Sequence, residues 1–81
     1  MEKRDIIQKV NEAFITILEH NNFELDESTT ADDVDGWESI THMLIINEIE
    51  KVFNIKFKLM DLMNMNNVGD LINSVDKELL G

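Results

Sequence analysis

Gly36-Trp37-Glu38-Ser39-Ile40 sets a hydroxyl directly after a carboxylate, where an acidic stretch without periodicity gives way to an amphipathic run from Thr41 to Phe57. A serine at that junction lies at a helix N-terminus, where unpaired first-turn N–H groups and the positive end of the helix dipole favour an anion. A phosphate ester on Ser39 suits the place. Serine is also a preferred N-cap, and a lone serine before a helix is ordinarily only that. His42 is the other reactive side chain within a turn of Ser39. Nucleophilic catalysis needs a base oriented by a third group and donors for an oxyanion, and no second base or oxyanion glycine stands nearby. No catalytic residue is assigned, and His42 is expected to be partly buried and hydrogen-bonded on the core-facing stripe.

The acidic stretch invites a metal reading. Asp33, Asp35 and Gly36 fit the third, fifth and sixth positions of a calcium-binding loop, but the first and twelfth positions are then Ala31 and His42. Neither supplies the missing carboxylate, so no metal site is expected.

The elements that must position Ser39 follow from periodicity. Ile6, Ile7, Val10, Phe14, Ile17 and Leu18 recur at helical spacing and predict a helix over about Lys3 to Glu19, ended by the turn residues His20-Asn21-Asn22. A long loop from Asn21 to Glu38 follows, with Phe23, Leu25 and Val34 as anchors and a brief turn at Thr30-Ala31-Asp32-Asp33. Gly36 marks a sharp bend. Trp37 is assigned to packing over the loop and helix end.

The second helix, about Ser39 to Asn54, sorts by face at roughly 100° per residue. His42, Ile45, Ile46, Ile49, Val52 and Phe53 form the core side, while Ile40, Leu44, Asn47 and Lys51 lie opposite, with Met43 on the flank near Ser39. Ile55 and Phe57 tuck in from an extended connector. A short helix is predicted over Leu59 to Met65, its methionines serving as adaptable packing. Asn67 caps a last helix whose Val68, Leu71, Ile72, Val75 and Leu79 share one face.

The fold class is therefore all-α: a small antiparallel bundle of three main helices plus one short helix, with a long loop between the first and second, in a single domain over 1–81. Seventeen acidic against seven basic residues give a formal net charge of −10. That surface repels nucleic acid and anionic membrane and favours protein partners with basic patches. No apolar run is long enough for membrane insertion. The chain has no cysteine, which points to a cytoplasmic setting and means that any thiol chemistry needs a prosthetic group.

Trp37-Glu38-Ser39-Ile40-Thr41-His42, then Leu44-Ile45, Glu50 and Phe53-Asn54-Ile55-Lys56-Phe57, resemble the acyl carrier protein family, whose modification site reads D-S-L before a helix ending in E-x-x-F-x-I. Glu38 stands for the usual aspartate and Ile40 for the usual leucine, each keeping the chemical type. The resemblance runs from about Leu25 to Leu79. It implies 4′-phosphopantetheine held covalently on Ser39, with Glu38 presenting a carboxylate to a phosphopantetheinyl transferase. It also implies docking of acyl-loading and acyl-transfer enzymes on the second helix, here through Ile40, Met43, Leu44 and Asn47. In such a carrier, a monomer, the wall between the second and short helices can shelter an acyl chain. The expected function is carriage of acyl intermediates as thioesters for a fatty acid, polyketide or other specialised pathway. An aminoacyl or peptidyl carrier, such as a D-alanyl carrier, is the alternative, and an unmodified helical adaptor a third reading.

Overall fold

The computed structural model describes residues 2–80. Four α-helices follow in order, α1 (Lys3–Leu18), α2 (Ser39–Phe53), α3 (Leu59–Met63) and α4 (Val68–Leu80), with one 3-10 turn at Ala31–Asp33 and no strand among the described residues. Each long helix buries one stripe because its apolar residues recur every three or four positions. Ile6, Val10, Ala13 and Phe14 from α1 meet Ile45, Ile46, Ile49 and Phe53 from α2 and Val68, Leu71, Ile72 and Val75 from α4, and all twelve are buried. The partly buried Ile7, Ile17 and Leu18 pack against this core.

Helix ends are closed by chemistry the sequence carries. Glu19 takes a left-handed conformation (φ 61°) after α1 and returns its N–H to the Ile15 carbonyl at 2.8 Å. Asn54 does the same after α2 (φ 55°). Glu50 then holds the connector, its carboxylate accepting the Phe57 N–H at 2.9 Å. That contact drops Phe57 into the core, with Ile55 packed at its edge. Before α4, the Asn67 Oδ1 accepts the Asp70 N–H at 2.8 Å while the Asp70 carboxylate accepts the Asn66 N–H at 2.9 Å. Asn67 caps the helix, and Asp70 reaches back past it to fasten the preceding residue.

The loop ahead of α2 is irregular but well tied. Val34 is buried, and Phe23 and Leu25 pack partly against the core. Thr30 and Asp33 close the 3-10 turn, the Thr30 N–H donating to the Asp33 carboxylate at 2.9 Å. Asp26 accepts from the Ser28 N–H at 2.8 Å, the Ser28 hydroxyl at 2.6 Å and the Thr29 hydroxyl at 3.2 Å. The Ser28 bonds first, and those of Thr29 after them, hold its carboxyl below the usual aspartate value. The loop also docks on α4: the Val68 N–H donates to the Thr29 carbonyl at 2.8 Å and the Gly69 N–H to the Glu27 carbonyl at 2.9 Å. Backbone carbonyls of the loop thus satisfy N–H groups that the start of a helix leaves without partners.

Three expectations need correction. Val52 is 43% exposed instead of core. It lies roughly 60° from the centre of the α2 stripe at Ile49, on the margin opposite Ile46, which is the side that stays covered. Leu79, in the last turn of α4 beyond the layer of Val75, is 37% exposed. The short helix ends at Met63, two residues early, and Leu59, Met60 and Met63 are largely exposed, leaving Leu62 and Met65 to pack on the core. A five-residue helix turns little more than once, so one narrow stripe is all it can bury.

Candidate functional site

The chain bends at Gly36 (φ 85°), which leads straight into the start of α2. Thr41, in the first turn, fastens that bend. Its hydroxyl donates to the Gly36 carbonyl and accepts the Glu38 N–H at 2.8 Å. Glu38, in an extended conformation, is therefore the N-cap, and Ser39 is the first residue of the helix instead of its cap. Thr41 is the third helical residue and takes that position's part in a capping box, its hydroxyl accepting the N–H of the N-cap Glu38. The Ser39 hydroxyl is left with no structural role, since Ser39 is exposed and makes no side-chain hydrogen bond among the described residues. Nothing joins it to His42, so the pair does not have the geometry of a nucleophile and its base.

A second tie approaches from α1. The His20 Nε2–H donates to the Asp35 carbonyl at 2.8 Å, and its Nδ1 accepts the Asn22 N–H at 3.1 Å. The Asp35–Gly36 segment is thus held on one side by the end of α1 and on the other by Thr41. Sequence reasoning gave Thr41 no role and treated His20 only as a helix breaker. The spacing of a hydroxyl three residues after Glu38 was the available signal for Thr41; for His20 there was none.

Trp37 is buried, as expected, its ring meeting Phe14 edge-on with centroids 4.8 Å apart. On its other side it stacks on His42 at 5.9 Å, and its indole N–H donates to His42 Nδ1 at 2.9 Å. Nδ1 is therefore an acceptor, and the proton of the neutral ring sits on Nε2. His42 is half-buried, and burial pushes its pKa below the ordinary 6.5. Above pH 6.5 both folded and unfolded chains hold this ring neutral, so its contribution to stability is fully present. As pH falls through 6.5 toward the lower folded value, the unfolded chain takes up a proton that the folded chain refuses, and that contribution is lost. The expected result is a difference in urea midpoint between wild type and His42→Gln that changes in this direction from pH 7.5 to 5.5; a constant difference would remove the effect.

Ser39 and His42 border a cavity of about 320 Å³ with Ala31, Trp37 and Glu38 from the loop side and Met65 and Asn66 opposite. Ile40 (78% exposed), Met43 (49%) and Leu44 (46%) continue outward from it, with Asn47 and Lys51 exposed beyond. Apolar and polar surface therefore alternate around one free hydroxyl at a helix start. Such a site fits a phosphate-linked group: the oxygen is accessible, first-turn N–H groups favour the anion, and a cavity adjoins it.

Comparison with known proteins agrees with this geometry. The family model described as the phosphopantetheine attachment site matches residues 8–75. The solution NMR structure of a holo acyl carrier protein from Geobacter metallireducens is 35% identical, with a TM-score of 0.85 over 93% of this chain and 86% of that one. The search of curated proteins gives no match. The family and the fold together identify 4′-phosphopantetheine as the prosthetic group. This chain has the fold of an acyl carrier protein and belongs to the family built around a phosphopantetheine attachment site.

Proposed function

We propose that Ser39 carries the arm and that the protein delivers acyl groups, held as thioesters, to the enzymes of a fatty acid, polyketide or other specialised pathway. The single observation behind the assignment of Ser39 is its place as the exposed first residue of α2, with its hydroxyl making no hydrogen bond among the described residues and a cavity alongside. When bound, the arm supplies the thiol that this cysteine-free chain lacks. The residues around it hold and present: Thr41 and His20 fix the approach, and Glu38 offers its exposed carboxylate to a phosphopantetheinyl transferase. The reading makes the chain a single monomeric domain over 1–81 that works in the cytoplasm.

Mass spectrometry after incubation with coenzyme A and a broad-specificity transferase tests the assignment. One phosphopantetheinyl adduct mapping to Ser39 is expected, and an unchanged mass overturns it. Glu38→Ala should slow the transfer; equal initial rates would remove the role given to that carboxylate.

The docking surface is the exposed group Ile40, Met43 and Leu44, bordered by Asn47 and Lys51. Burying an aliphatic side chain contributes about 1.5–3 kcal/mol, whereas exposed charge pairs contribute about 0–1 kcal/mol and are screened by salt. Leu44→Glu is expected to lower turnover of the loaded protein by its own partner enzymes by at least roughly tenfold, the equivalent of about 1.4 kcal/mol, with little dependence on sodium chloride. Unchanged turnover for Leu44→Glu, together with suppression by salt alone, would show that docking is electrostatic.

A further inference from the structure

The cavity beside Ser39 is lined in a way that the attachment of a group does not by itself require. Its lining combines apolar surface from Trp37 and Met65 with hydrogen-bonding groups from His42, Asn66 and Glu38. Among these His42 is the most constrained. Its Nδ1 is taken by the Trp37 indole N–H, so its one proton is on Nε2. Nε2–H has no partner among the described residues, and since no buried side-chain nitrogen or oxygen is left unsatisfied among them, it is accessible to solvent; His42 itself lines the cavity. The tryptophan thus locks a donor in place one helical turn from Ser39, on an adjoining face of the same helix.

What could use that donor is limited by charge and by reach. Glu38 also borders the cavity, and its carboxylate disfavours an anion inside, so a phosphodiester on Ser39 stays at the open helix start among the first-turn N–H groups. The segment that follows phosphate in a phosphopantetheine arm is neutral: a carbon bearing two methyl groups, a hydroxyl-bearing carbon and an amide carbonyl. Those three features match the three kinds of lining. Methyl groups suit the apolar surface of Trp37 and Met65, a hydroxyl can donate to Glu38, and a carbonyl can accept from His42.

Building on the assignment of Ser39, we infer that this cavity seats the first, branched segment of the arm and that His42 is its positioning residue, with Nε2–H donating to an oxygen of that segment. The arm then leaves the protein in a fixed direction, and freedom begins only beyond its first amide.

NMR on the intact holo protein tests this. Wild type should show nuclear Overhauser contacts from the two arm methyl groups to the Trp37 indole, and a separation between those two methyl resonances larger than in free pantetheine. His42→Ala should collapse the separation to the free value, and His42→Gln, which keeps an N–H donor, should restore most of it. Trp37→Phe, which keeps an aromatic ring but removes the indole N–H, should give His42 a mixed tautomer by ¹⁵N shifts and narrow the separation. Those three results support the seat. A protein that mass spectrometry shows to be modified, but whose arm methyls match free pantetheine in wild type, overturns the inference and leaves the attachment site standing. A protein that takes no adduct overturns both. Equal separations in wild type and His42→Ala would leave His42 with a packing role alone.

Discussion

Ser39→Ala is expected to abolish modification completely while leaving the bundle folded. The hydroxyl is the attachment atom under the proposed function, so its loss is all-or-none for the adduct. Its loss is nearly silent for stability, because Ser39 is not the cap: Glu38 occupies that position and Thr41 makes the bridging bonds. A true N-cap replaced by alanine loses about 0.5–2 kcal/mol, and alanine at an exposed helical position is intrinsically favourable. Circular dichroism should give a melting temperature within a few degrees of wild type, on a scale of roughly 4–8 °C per kcal/mol for a domain of this size. Thr41→Val is the informative contrast. It leaves the serine but removes the hydroxyl that ties Gly36 and Glu38, so modification should slow and stability fall. An adduct retained on Ser39→Ala would move the attachment site elsewhere; unfolding would make Ser39 structural.

Gly69→Val should cause the largest loss of stability. Even a methyl group there would stand 2.8 Å from the Glu27 carbonyl oxygen and 3.2 Å from the Glu27 Cβ and the Asn67 side-chain oxygen. The carbonyl belongs to backbone, and it also receives the Gly69 N–H at 2.9 Å. The loop must retreat, weakening that bond and the neighbouring one from Val68 to Thr29. Overpacking costs typically about 1–3 kcal/mol and each of the two weakened hydrogen bonds about 0.5–1.5 kcal/mol, so a total of about 2–6 kcal/mol is expected. The same scale gives a fall of at least roughly 8 °C in melting temperature. A melting temperature unchanged in Gly69→Val would show that the loop does not sit on α4 as described.

The helices were legible in the sequence because each carries its own period. Ile6, Val10 and Phe14 mark one face of α1 without reference to anything else, and Ile45, Ile49 and Phe53 do so for α2. The loop anchors and the Asn67 cap were legible for a similar reason, being local chemistry. What escaped depends on residues far apart. No period shows that His20 will reach Asp35, or that Glu27 will lie against Gly69. Val52 and Leu79 are apolar at helical spacing, yet their exposure is decided by where neighbouring helices stop. At the site, Ser39, Glu38 and the outward direction of Ile40 and Leu44 were readable, and so was a buried Trp37. Serine's own preference is local and makes a cap its ordinary reading, whereas Glu38 holds that position and the Thr41 bridge runs back to Gly36. The bond from Trp37 to His42 needs the bend at Gly36 to bring the indole over the helix, and that was beyond reach.

The stitching of the loop has a consequence for the order of events as the chain matures. Residues 26–38 lead into Ser39, yet two of their fixed points, the Thr29 and Glu27 carbonyls, are held by Val68 and Gly69 at the head of α4. Contacts across so much sequence form late, since the entropy of closing the intervening chain must be overcome first. A nascent chain that has made α1 and α2 but not yet α4 can already tie Asp35 and Gly36 through His20 and Thr41, while residues 27–29 still lack their anchor. The acidic half of the loop is thus the last part to be fixed, and the bend before α2 the first.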